Sequence, residues 1–120
     1  MAKKRILVID DDEDILMGIQ FALVDSDYDV TTSLKAKNVE QLIQRFQPNL
    51  IILDVLLSGA DGREVCRSLK AKHEYDNIPI MLISAQSHMD IEARKCGANA
   101  FLAKPFDLEQ LLNEVSHLTS

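Results

Sequence analysis

The sequence predicts an α/β fold in which strand and helix alternate five times and the strands form one parallel sheet. Four short runs are apolar without interruption and rich in Ile, Leu and Val, which is typical of strands buried on both faces. The segments between these runs place apolar residues at helical spacing. Strands and helices that alternate in this way are joined by right-handed crossovers, which makes the strands parallel. The four runs are 6–9, 50–53, 80–83 and 100–102.

The remaining elements follow in order from the same patterns. After the first run, Ile15 and Leu23 lie on the inward stripe of the first helix. Residues 28–33 alternate apolar and polar side chains instead, which predicts an edge strand. Pro48 ends the second helix, and Asp107 is the expected N-cap of the last helix. The second to fifth helices are expected over 39–46, 65–69, 88–96 and 108–118.

Length and composition predict one domain over residues 1–120. The chain of 120 residues is 47% apolar and 27% charged, so it can bury roughly two-thirds of its unfolded surface and is not disordered. The apolar runs are too short to span a bilayer, and we expect no membrane insertion. Cys66 and Cys96 form no Cys-x-x-Cys pair, which favours free thiols in a cytoplasmic protein over a disulfide or zinc site.

The excess charge of the chain is concentrated in one segment. The net charge is −6, from 13 basic and 19 acidic residues, and five of the acids are consecutive at 10–14. Without those five, 14 acids face 13 bases. Because the basic residues form no run longer than Lys3-Lys4-Arg5, we expect no direct binding of nucleic acid.

The functional residues are expected beyond the carboxyl ends of the parallel strands. The sequence places the acids at 10–14, Asp54, Ser84 and Lys104 there. Helix capping accounts for one or two of the acids, but five acids repel one another and Asp54 unless a cation lies among them. Carboxylates from two strand ends suit Mg²⁺ better than a dedicated Ca²⁺ cage, because few protein ligands leave places for water and a phosphate oxygen.

Together these residues supply the parts that phosphoryl transfer needs. Asp54 offers an attacking carboxylate oxygen, and a divalent cation neutralises charge. Ser84 and Lys104 supply donors for the phosphoryl oxygens. Each residue alone is more often a turn, cap or surface residue, so the inference depends on their convergence.

Four stretches of the chain carry a resemblance to a known family. In their order and spacing they resemble the receiver domains of bacterial two-component response regulators, over the whole length. The resemblance implies a flavodoxin-like, doubly wound sheet of five parallel strands in the order 2-1-3-4-5, with five helices. It also implies a switch that catalyses only its own phosphorylation and slow dephosphorylation. The stretches are 6–11, 50–54 running to Asp61-Gly62, 81–85 and 101–106.

The resemblance implies a role for each matching residue around the acids. Asp54 is the expected phosphoacceptor. Mg²⁺ is the expected cofactor, held by Asp54 together with Asp10, Asp11 and the backbone carbonyl of Leu56. Ser58 stands where the family usually has proline, so the loop after Asp54 is expected to be less rigid.

The resemblance also implies a switch. Ser84 is the expected switch hydroxyl and Lys104 the ammonium that binds the phosphoryl group, with a cis peptide bond between Lys104 and Pro105. Phe101 is the aromatic side chain whose rotamer follows Ser84, although it lacks the hydroxyl of a tyrosine. The expected readout surface comprises the fourth helix, fifth strand and fifth helix, over about residues 87–118.

The expected partners are proteins. The donor is a sensor histidine kinase or a histidine phosphotransfer protein, and the output passes to a downstream effector protein or domain. Met1 with three basic residues close behind it favours a natural N-terminus. The chain is then either a single-domain regulator or the receiver portion of a longer regulator or hybrid kinase.

Three alternatives use the same residues differently. A haloacid-dehalogenase-type phosphatase would use Asp10-x-Asp12, but it leaves Asp54 without a role. A flavodoxin-like or dinucleotide-binding protein would need a glycine-rich first turn, where this chain has only acids. A receiver that works by docking alone would not need functional residues at the five key positions. Here these positions hold Asp10, Asp11, Asp54, Ser84 and Lys104.

Overall fold

The computed structural model describes residues 2–85 and 95–120, which form seven strands and four helices. The predicted helix over 88–96 lies almost entirely outside the described residues. In chain order the elements are β1 (Arg5–Ile9), α1 (Glu13–Asp25), β2 (Asp29–Ser33), α2 (Val39–Phe46), β3 (Leu50–Asp54), β4 (Leu56–Leu57), β5 (Ala60–Asp61), α3 (Gly62–Lys70), β6 (Ile80–Ser84), β7 (Ala100–Ala103) and α4 (Leu108–Thr119).

Five of the strands form a parallel sheet in the order β2-β1-β3-β6-β7. Because β4 and β5 form a separate antiparallel hairpin, this order is the predicted 2-1-3-4-5, and the predicted fold class is confirmed. The alternating segment is an edge strand, β2, as expected. The hairpin itself was not predicted.

Helices cover both faces of the sheet, which explains the uninterrupted apolar runs. Successive side chains of a strand point to opposite faces, so Leu7 and Ile9 of β1 join a core cluster that includes side chains of α2 and α3. Ile6 and Val8 join a second cluster, with side chains of α1 and α4. Every residue of β3 and β6 is buried. None of the helices in the described ranges is long and apolar enough to cross a membrane.

Side-chain caps fix the start of the two helices on the second face. Asp12 is the N-cap of α1 and accepts hydrogen bonds from the backbone amides of Asp14 and Ile15. Asp107 caps α4 as predicted, in a reciprocal capping box with Gln110. Because α1 follows β1 and α4 follows β7, both helices begin at the carboxyl edge of the sheet, where strand order also reverses between β1 and β3.

Candidate functional site

Three acidic side chains meet at the carboxyl ends of β1 and β3. Asp10 directly follows β1 and is fully buried, and Asp54 is the last residue of β3 and is 5% exposed. The register pairs Ile9 with Leu53, so the residues that follow the pair emerge side by side. One carboxylate oxygen from each of Asp10, Asp11 and Asp54 lies within 4.8 Å of the other two. The structure thus brings together the three acids that were expected to meet at this edge.

The ammonium of Lys104 lies between the two buried acids. Its Nζ atom is 3.2 Å from Asp10 Oδ2 and 3.4 Å from Asp54 Oδ2. Lys104 follows β7, and its backbone N–H donates to the carbonyl of Ser84 at 2.7 Å, so this hydrogen bond extends the pairing of β6 and β7. The Lys104–Pro105 peptide bond is cis, as the resemblance implied.

Negative charge is in excess at this site. Burial first, and then the charge of Asp10, raise the pKa of the Asp54 carboxyl from 3.8 to about 6, although Lys104 acts in the opposite direction. In this cluster one ammonium faces two buried carboxylates and a third at the rim, so negative charges outnumber positive ones. The donor set consists of carboxylate oxygens, which hard divalent cations such as Mg²⁺ prefer. The residues present fit such an ion.

Hydrogen bonds fix two of the carboxylates. Asp10 Oδ1 accepts from the backbone amide of Asp12 at 2.9 Å. Asp11 Oδ2 accepts from both the backbone amide of Ser58 at 3.1 Å and the Ser58 hydroxyl at 3.0 Å. This contact was not predicted from the sequence, in which Ser58 was expected only to make its loop less rigid. The signal was the serine in place of proline, because a serine adds two donors that proline lacks.

Close backbone packing positions the turn that follows Asp54. The backbone amide of Gly62 donates to the carbonyl of Val55 at 2.8 Å. A Cβ atom at Gly62 would lie 2.2 Å from the Asp54 carbonyl oxygen, so only glycine fits there. Gly59, at the tip of the β4–β5 hairpin, has a φ of 76°, which glycine adopts without strain.

The remaining predicted residues lie around the same edge. Ser84 ends β6 and is 1% exposed. It pairs with Ala103, and Leu82 pairs with Phe101, so strand alternation puts Ser84 and Phe101 on the same face of the sheet. Phe101 is half-buried, and Leu56 is exposed at the start of β4. The roles expected for these residues remain predictions.

Comparison with known proteins identifies the family. The family model for the response regulator receiver domain matches residues 6–116. The chain belongs to the response regulator receiver domains. The two alternative families considered from sequence, a phosphatase and a dinucleotide-binding protein, are therefore wrong for this chain.

Three solved structures illustrate the similarity of this receiver domain to known proteins. The chain aligns with a proposed response regulator from Chloroflexus aurantiacus at 28% identity and a TM-score of 0.93, covering 98% of each chain. It aligns with the chemotaxis protein CheY4 of Vibrio cholerae at 25% identity and a TM-score of 0.89, covering 98% of this chain and 99% of that chain. The BeF₃-activated receiver domain of RstA from Klebsiella pneumoniae aligns at 29% identity and a TM-score of 0.87, covering 98% of this chain and 100% of that chain.

Proposed function

We propose that this receiver domain accepts a phosphoryl group on Asp54 and signals through the resulting change at its surface. The observation that carries the proposal is the position of Asp54. It is a buried carboxylate within 3.4 Å of the Lys104 ammonium, and it shares one 4.8 Å cluster with Asp10 and Asp11. The family signals by phosphorylation in two-component systems.

The proposed step is a transfer from a phosphohistidine or a small acyl phosphate to Asp54. An oxygen of Asp54 forms a bond to phosphorus while the bond from phosphorus to the donor breaks, and the electron pair of that bond leaves with the donor. Lys104 offsets charge on the phosphoryl oxygens, and Ser84 donates a hydrogen bond to them. Asp10, Asp11, Asp54 and the Leu56 carbonyl would hold Mg²⁺, which would supply further charge neutralisation.

The proposed switch follows from the charge that the reaction adds. A phosphoryl group brings nearly two negative charges to a site that already has too many. The new charge draws Ser84 and Lys104 toward it, and Phe101 fills the space that Ser84 leaves. The readout surface then includes β7 and α4, together with residues 87–94, which lie outside the described residues.

An exposed apolar surface beside the site supports a protein as the phosphoryl donor. The surface consists of Phe21 and Met17 on one side of α1 and Leu108 at the start of α4. These residues are 77%, 66% and 50% exposed, respectively. A groove of about 390 Å³ is lined by Leu108 of this surface and by Lys104 and Pro105 at the site. Exposed large apolar side chains that form one patch are typical of protein interfaces. A cytoplasmic histidine kinase or phosphotransfer protein is the proposed donor.

The test is the intact mass of the protein after incubation with acetyl phosphate and Mg²⁺. We expect the added mass of one phosphoryl group, with the modification located at Asp54. Asp54→Asn should show no added mass. The matched control is Asp27→Asn, because Asp27 is exposed and has a positive φ that asparagine tolerates; this variant should be modified like the wild type. Modification of Asp54→Asn at another residue would contradict the proposal.

A second measurement separates this function from a receiver that works by docking alone. Beryllofluoride mimics a phosphoryl group on a carboxylate, so a site built for phosphorylation should bind it in the presence of Mg²⁺. We expect the melting temperature to rise with both ligands together. No stabilisation of the wild type would favour docking alone.

A further inference from the structure

We propose that Ser58 is a positioning residue for the metal site, which holds the Asp11 carboxylate in place for Mg²⁺. The inference rests on the proposed function, because it assumes that Asp11 is a ligand. Ser58 lies at the tip of the β4–β5 hairpin, 47 residues away from Asp11 in the chain. Two separate donors of one residue converge on the same oxygen, Asp11 Oδ2, at 3.1 and 3.0 Å.

Asp11 needs such support more than the other two acids do. Asp10 and Asp54 are buried and held by the sheet, whereas the side chain of Asp11 is exposed at the rim. An exposed carboxylate loses rotational freedom when it binds an ion, and this loss weakens binding. Hydrogen bonds that fix the carboxylate beforehand remove part of that cost. Since both donors of Ser58 use Oδ2, the other oxygen of Asp11 retains its lone pairs for the ion.

A second effect of the same hydrogen bonds acts in the opposite direction. Donors to Asp11 reduce its repulsion with Asp10 and Asp54 when no ion is bound, and so reduce what Mg²⁺ gains by neutralising that repulsion. Solvent screens the charge of an exposed carboxylate, which makes this effect small. Orientation therefore dominates, and losing Ser58 should weaken the binding of Mg²⁺.

Three substitutions of Ser58 separate its two donors. Ser58→Ala removes the hydroxyl and keeps the amide, whereas Ser58→Pro removes both donors because proline has no N–H. Ser58→Thr keeps both donors and should restore wild-type behaviour. Ser58 is exposed, so none of these changes disturbs the core. Ser68→Ala, which removes an exposed serine hydroxyl on α3, is the matched control.

The test measures the dissociation constant of Mg²⁺ from the rise of melting temperature with Mg²⁺ concentration. Changes to groups that orient metal ligands typically weaken metal binding about 10- to 100-fold. Because Asp11 is exposed, we expect the low end of this range, about 10-fold, for Ser58→Pro, and a smaller effect of about 3-fold for Ser58→Ala, which keeps one donor. Ser58→Thr and Ser68→Ala should match the wild type in their affinity for Mg²⁺, with the melting temperature of each variant without Mg²⁺ as its own baseline.

A kinetic readout distinguishes positioning from a general structural effect. The rate of phosphorylation by acetyl phosphate should fall in Ser58→Ala and Ser58→Pro at low Mg²⁺ and return to the wild-type rate at saturating Mg²⁺. Equal Mg²⁺ affinity in the wild type, Ser58→Ala and Ser58→Pro would overturn this inference and leave the proposed function intact. A wild type that shows no response to Mg²⁺ would overturn the proposed metal site, and the role of Ser58 with it.

Discussion

Gly62 packs against the carbonyl of Asp54 so closely that a Cβ atom on Gly62 would lie 2.2 Å from the carbonyl oxygen. The same Cβ would lie 2.9 Å from the Asp54 carbonyl carbon and from Val55 Cα. All three neighbours are backbone atoms, which cannot rotate away as a side chain can. The packing of Gly62 therefore helps to fix the backbone of the proposed phosphoacceptor.

Gly62→Ala should destabilise the protein and displace Asp54. The added methyl group forces the backbone after β3 to move, and overpacking of this kind costs about 1–3 kcal/mol. Because the contact is with backbone on every side, we expect a loss of about 3 kcal/mol in the free energy of unfolding. Urea denaturation measures this loss, and incorporation of phosphate from acetyl phosphate should fall in the same variant.

The matched control is Gly18→Ala on α1. Outside its own helix backbone and chain neighbours, no atom lies within 4 Å of a Cβ built at Gly18, so the methyl group meets no packing neighbour. Alanine favours a helix over glycine by about 1 kcal/mol, and Gly18→Ala should stabilise the protein by up to that amount. A Gly62→Ala variant as stable as Gly18→Ala would contradict the role given to Gly62.

The charge on Asp54 should lower stability as pH rises. Its pKa is raised from 3.8 to about 6 in the folded protein, so the folded state binds the proton more tightly than the unfolded state. Without Mg²⁺, the free energy of unfolding should therefore fall as pH rises from about 4 to about 6, and the penalty is complete above that range. A shift of this size corresponds to about 3 kcal/mol.

Asp54→Asn tests this penalty because asparagine cannot ionise. At pH about 7.5 and without Mg²⁺, the variant should be more stable than the wild type by up to about 3 kcal/mol. The difference should shrink as pH falls and disappear below about pH 3, where the carboxyl of the wild type is protonated in both states. Chemical denaturation at several pH values measures it. An Asp54→Asn variant that is less stable at pH 7.5 would show that Lys104 outweighs burial and Asp10.

The sequence carried enough information for the sheet but not for every contact of the site. The strands β1, β3 and β6 could be predicted because burial on both faces leaves an uninterrupted apolar run. The β4–β5 hairpin could not be predicted, since strands of two residues show no periodicity. The grouping of Asp10 with Asp54 followed from topology alone, because ends of neighbouring parallel strands meet.

The contact between Ser58 and Asp11 could not be predicted in the same way. It joins a hairpin tip to a strand end 47 residues apart, and its existence depends on the direction in which the hairpin folds. No spacing rule gives that direction. Gly62 was matched as part of a motif, but its contact with the Asp54 carbonyl appears only once the backbone of both turns is known.

Phe21→Ser should separate the two kinds of phosphoryl donor. Phe21 is 77% exposed, so the substitution should leave the fold and the site unchanged, and transfer from acetyl phosphate should keep its rate. Transfer from a phosphorylated histidine kinase should slow about tenfold, which is the effect of losing about 1.4 kcal/mol of binding. The two rates are compared by phosphate incorporation. An equal loss of rate with both donors would instead indicate damage to the site. An unchanged rate with both donors would show that Phe21 on α1 is not part of the donor interface.

The thiols of Cys66 and Cys96 should be unreactive in the folded protein. Both are buried free cysteines, and the Cys66 thiol donates to the carbonyl oxygen of Cys96 at 3.6 Å. Burial first, and then the neighbouring Cys96, raise the pKa of the Cys66 thiol to about 12. Since the thiolate is the reactive form, a thiol reagent at pH about 8 should label neither cysteine until the protein unfolds. Labelling with and without denaturant, followed by measurement of the intact mass, tests this protection. Rapid modification of Cys66 in the native protein would show that α3 opens much more often than its packing implies.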